Sequence, residues 1–127
     1  MITVVAALIE KDGKYLIAKR STGSSDVLGK WEFPGGKIEE DESPQQALVR
    51  EIAEEFSCEI AVGEKVEDTT YEYEKVIVRL ETYKAQILSG QPVALEHADT
   101  KWVAPQNLLA MNFAPADIKK VKKIAIK

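Results

Sequence analysis

The 127-residue chain is 45% hydrophobic and 30% charged, which supplies one domain with a sizeable core. Its formal net charge of −4 and isoelectric point near 5.1 exclude a general nucleic-acid binder, which carries a basic face. A single cysteine, Cys58, excludes an internal disulfide, and the apolar run from Val4 to Ile9 is too short for a membrane span or signal core, so a cytoplasmic setting is expected.

In chain order, Val4 to Ile9 reads as a strand buried on both faces. Asp12-Gly13 is a turn signal, and Tyr15 to Arg20 returns as a second strand. Ser21 to Lys30 is polar and glycine-containing, hence a loop. Phe33-Pro34-Gly35-Gly36 reads as a turn where two missing Cβ atoms let backbone approach a ligand closely. A helix then starts at Ser43, a good N-cap, with Pro44 in the first turn and Gln46 completing a capping box. Ala47, Leu48, Val49, Ile52, Ala53 and Phe56 give it apolar surface to pack on a sheet. Glu59–Val66, Thr69–Tyr73 and Val76–Leu88 read as three strands, and Trp102-Val103 as a short fourth. A helical turn over Pro105–Leu109 and a final helix from Pro115 to about Ile124 complete the order, which suits a mixed sheet with helices on both faces.

The stretch from Gly36 to Cys58 carries the chemistry. Glu51, Glu54 and Glu55 stand at three- and four-residue steps, so they share one helical face and repel by about 0.2–0.5 kcal/mol per pair. Read alone, they are also compatible with a solvated acidic surface. Like charges gathered this way are favourable only around a cation, and a hard divalent metal takes oxygen ligands and bridges carboxylates to phosphates. With Glu42 and Arg50 in register, the segment resembles the Nudix signature Gly-x5-Glu-x7-Arg-Glu-U-x-Glu-Glu-x-Gly-U, where U is bulky and apolar. Ser57 departs from it, standing where the signature has glycine; the expectation is mild strain or an altered helix exit. Lys30 to Lys37 and Phe113 to Asp117 look like the corresponding stretches of the MutT-like branch, so the resemblance covers nearly all of the chain.

The resemblance implies an α/β fold, a Nudix-type α/β/α sandwich with a mixed sheet, over residues 1–127 as a single domain. It implies Mg²⁺, for which Mn²⁺ can substitute, held by Glu51, Glu54, Glu55, Glu96 and the Gly35 carbonyl. Arg50 would orient a glutamate, with Glu42 an outer carboxylate. Arg20, Phe33, Gly35, Gly36, Lys37 and Asp117 are the candidates for binding substrate. Ionised Asp117 only accepts hydrogen bonds, so it suits the 4-amino donor of cytosine, although guanine N1 and N2 could also meet it. The implied reaction converts a nucleoside triphosphate to monophosphate and pyrophosphate, of the CTP/dCTP type, with 8-oxo-dGTP, ADP-ribose or another nucleotide sugar as other substrates. A non-catalytic nucleotide-binding module is the reading from another class. The expected partner is a small-molecule nucleotide, with no nucleic acid or membrane, and a monomer or homodimer is expected. Tyr71 and Tyr73 are expected in the core, His97 in a loop, and Lys119, Lys120, Lys122, Lys123 and Lys127 on a solvated face.

Overall fold

The structure is a computed structural model and describes residues 1–125. Strand β1 (Ile2–Lys11) is its axis. It is buried on both sides because its residues alternate between two cores. Val5, Ala7 and Ile9 face one, and Ala6 and Leu8 face the other. β1 turns through Asp12 and Gly13, both at positive φ, into β2 (Lys14–Lys19). The two strands pair only at Glu10↔Tyr15 and Lys11↔Lys14. Beyond that point β1 pairs with a different partner, β4 (Gly35–Lys37), at Val4 to Ala6. β2 pairs with β3 (Trp31–Glu32) and β7 (Asp99–Val103). On its other side β1 runs parallel to β6 (Ile77–Ser89), which pairs antiparallel with β5 (Glu59–Glu72).

Helix α1 (Pro44–Phe56) covers the first core with Ala47, Leu48, Ile52 and Phe56, all fully buried. Removing the three larger side chains from water favours this packing by about 1.5–3 kcal/mol each. The capping box of Ser43 and Gln46 is formed in both directions. A 3-10 turn (Pro105–Ala110) and helix α2 (Pro115–Ala125) cover the second core through Leu108 and Val121, with Phe33 and Phe113 stacked at 5.3 Å beneath. The layers are thus helix, mixed sheet, helix. No described helix is long and apolar enough to cross a membrane.

Several expectations need correction. The two strands expected at Glu59–Val66 and Thr69–Tyr73 are one long β5, whose register slips between Val62 and Glu67 hide its continuity. Gly35 and Gly36 lie in a strand, not a turn. Their bareness serves close approach: a Cβ on Gly35 would strike the Val5 carbonyl, and one on Gly36 would strike the Glu51 carboxylate. Tyr71 is 41% exposed, and Tyr73 lines a cavity and accepts the Ala116 N–H through its hydroxyl at 3.1 Å, so neither is a core residue. Lys120 is 3% exposed and leaves the expected solvated face, while Lys127 lies outside the described residues.

Candidate active site

Arg50, midway along α1, organises the acidic cluster. Its Nε and Nη2 donate to the two Glu42 oxygens at 2.7 and 3.0 Å, a bidentate fork that anchors the guanidinium. Nη1 donates to Glu51 at 2.9 Å and Glu54 at 3.3 Å, and Nη2 also reaches the Lys37 carbonyl at 3.1 Å. One side chain therefore ties α1 to the loop before it and to β4. Its hydrogen bonds hold the Glu42 carboxyl below the usual range.

The C-terminal end of α1 places the other carboxylates. Its last carbonyls would be orphaned, but Leu95 N–H donates to Glu55 O at 3.0 Å and Val93 N–H to Phe56 O at 2.9 Å. That docking brings the following residues, Glu96 and His97, alongside the helix. Ser21 Oγ donates to the Glu96 carbonyl at 2.6 Å, fixing the loop from the other side. The His97 ring stacks on Phe56 at 5.2 Å, and its Nε2 lies 2.8 Å from Glu32. Glu32 also accepts from Arg20 at 3.0 Å. Glu51, Glu55, Glu96, Glu32, Arg20, Lys37 and the two glycines line one polar cleft.

Glu55 is the exceptional member. Its Oε2 is buried and has no hydrogen-bond partner among the described residues. Burial first, then the adjacent Glu51 and the charges of Glu32 and Glu96, push its carboxyl up to about 8. An orphaned buried oxygen amid carboxylates, with no thiolate or second imidazole, is a donor set that fits a hard divalent cation. Among the described residues no three of these side chains are drawn together into a closed coordination shell. Arg50 holds Glu51 on one side, and Glu54 stands on the outer rim at 57% side-chain exposure, outside the cleft lining.

The polar cleft adjoins a second, more apolar cavity of about 550 Å³, and Val4, Arg20, Glu32, Gly35 and Gly36 line both. The splay between β1 and β2 opens this space. Phe33, Tyr73, Val78, Leu80, Ala116 and Asp117 form much of its wall. Asp117, in the first turn of α2, is 5% exposed and accepts from Lys120 Nζ at 3.0 Å; burial raises its carboxyl above the usual range. Arg20, Phe33, Gly35, Gly36, Lys37, Glu51, Glu55, Glu96 and Asp117 thus all border one continuous groove, with Arg50 behind it. Glu32, the buried setting of His97 and Lys120 escaped the sequence reading. The Asp117–Lys120 spacing of three on a helix was a usable signal; Glu32 and His97 carried none, because their pairing is long-range.

A NUDIX domain matches residues 1–124. The chain is 47% identical over 118 residues to CTP pyrophosphohydrolase of Escherichia coli K12, covering 93% of this chain and 87% of that protein. It is 35% identical to a putative 8-oxo-dGTP diphosphatase 2 of Mycobacterium tuberculosis, covering 90% and 81% respectively. The solution structure of the E. coli ORF135 protein superposes with a TM-score of 0.82 at 44% identity, over 96% of this chain and 86% of that one. Nudix hydrolases generally use a divalent metal, which agrees with the carboxylate cleft beside α1. Fold, cleft and relatives converge: the chain belongs to the Nudix family and is a Nudix hydrolase.

Proposed function

We propose that this enzyme hydrolyses nucleoside triphosphates to monophosphate and pyrophosphate, with Mg²⁺ as cofactor (Mn²⁺ substituting) and CTP or dCTP as preferred substrate. The observation that carries the proposal is the continuity of the groove: a cluster of carboxylates around the buried Oε2 of Glu55 at one end, and an apolar cavity lined by Asp117 at the other. Glu51, Glu55 and Glu96 would hold the ion, with Glu54 the adjoining carboxylate on that turn and the Gly35 carbonyl nearby. When bound, it would neutralise phosphate charge and lower the pKa of an attacking water. Arg50 keeps Glu51 oriented, and Arg20, at the junction of the two chambers, would meet phosphate. Phe33 gives a nucleobase apolar surface, and Asp117 offers the 4-amino group of cytosine an acceptor. The name carried by the E. coli relative supports the same ranking.

The M. tuberculosis relative supports 8-oxo-dGTP as the second substrate, since guanine N1 and N2 can also donate to Asp117. A panel of CTP, dCTP, UTP, 8-oxo-dGTP, dGTP and ADP-ribose with Mg²⁺, products resolved by chromatography, tests the proposal. CTP or dCTP should have the highest kcat/KM and release pyrophosphate. Preferred turnover of ADP-ribose would overturn the substrate assignment.

A further inference from the structure

Lys120 is an unusual residue to bury in a small helix. It is 3% exposed, pairs with Asp117 at 3.0 Å, and sets its ammonium 4.9 Å from the centroid of the Phe33 ring. Asp117 lines the apolar cavity and Lys120 does not. Replacing both charges by apolar residues would often leave packing no worse, so stability alone is a weak reason for the pair. Its position points to what the carboxyl must do.

We propose that Lys120 is a specificity-determining residue, holding Asp117 as a hydrogen-bond acceptor so that the cavity takes an amino-bearing pyrimidine and refuses its keto counterpart. The inference rests on Asp117 reading the base. Cytosine presents a 4-amino donor to Asp117, whereas uracil presents O4, an acceptor that an ionised carboxylate leaves unpaired. The groups facing Asp117 are Lys120 on its own helix, Glu32 on β3, Arg20 after β2 and Tyr73 after β5, while Asp26 borders the same cavity. Burial and Glu32 favour the protonated acid; Lys120 and Arg20 oppose them. Without Lys120, Asp117 takes up a proton, its hydroxyl donates to O4, and uracil fits as well as cytosine.

The test is kcat/KM for CTP and UTP with Mg²⁺ in wild type, Lys120→Met, Asp117→Asn and the double variant across pH. Both substrates share the phosphate cleft, so its titration cancels in their ratio. In Lys120→Met the CTP:UTP ratio should fall by about tenfold or more near pH 6, recover toward about pH 9, and be flat in wild type. Adding Asp117→Asn should abolish the pH dependence, because an amide cannot titrate in this range. If Lys120→Met does not fold, Lys120→Gln, which keeps a donor without a charge, carries the same expectation. A wild-type ratio at every pH in the lysine variant, with Asp117→Asn altering it, overturns the role of Lys120 alone. A ratio untouched by Asp117→Asn overturns the base-reading assignment itself.

Discussion

Glu55 shows how a single side chain reports the site. Burial and the neighbouring carboxylates push its carboxyl in the folded protein up to about 8, well above the ordinary glutamate range. A raised carboxyl favours the folded state while protonated, so its contribution is full below the unfolded value and is lost as pH rises through about 8. Metal-free protein should therefore lose melting temperature from about pH 5 to pH 9, and Glu55→Gln should flatten that decline. Thermal unfolding in chelator across this range is the check; parallel curves for the two proteins would remove the case for a strained carboxylate. That the cluster is acidic was legible in the helical spacing. Which glutamates enter the cleft was not. Taking Glu51 as reference, Glu54 falls about 60° to one side of the helix and Glu55 about 40° to the other. Arg50 claims the first, while the second lies in the cleft, on the residue whose carbonyl accepts from the docked loop at Leu95. Only tertiary contacts decide between them.

At the scale of elements, the capping box and both helices were readable because their signals are local. Gly35 and Gly36 were misread because a glycine pair ordinarily marks a turn. Here the glycines permit β4 to press against β1 and against Glu51, and the two substitutions should behave differently. Gly35→Ala meets backbone at Val5 and should unfold or severely destabilise the protein, whereas Gly36→Ala meets only the end of a side chain and should fold. The Gly36 variant should nevertheless lose about a hundredfold in kcat, because Glu51 must move. Circular dichroism and steady-state kinetics on the two proteins separate these outcomes; equal loss of fold would refute the distinction. Ser57 resolves the one departure from the signature. It sits at φ 56° and ψ 38°, the left-handed conformation that glycine would adopt freely, and its N–H still caps Ala53 O at 3.2 Å. Relief of that strain should make Ser57→Gly more stable by about 0.5–1 kcal/mol, or roughly 2–6 °C in Tm, with kcat unchanged. A lower Tm would mean that serine is favoured there.

For the whole molecule, the sandwich was legible from one strand buried on both faces flanked by two amphipathic helices. The groove was not, since it arises where β1 leaves β2 after one short stretch of pairing and accepts β4 instead. No periodicity records such a change of partner. The result is a charged cleft and an apolar cavity sharing a wall, which is what a nucleotide needs of a protein. The claim on which this rests is that the carboxylates clustered around Glu55 bind a divalent ion. Titration of metal-free wild type and Glu55→Gln with Mn²⁺, followed by electron paramagnetic resonance, measures it directly. Wild type should bind, and the variant should bind at least about tenfold more weakly, a factor typical of losing support at a metal site. Equal affinity in the two proteins would contradict the assignment.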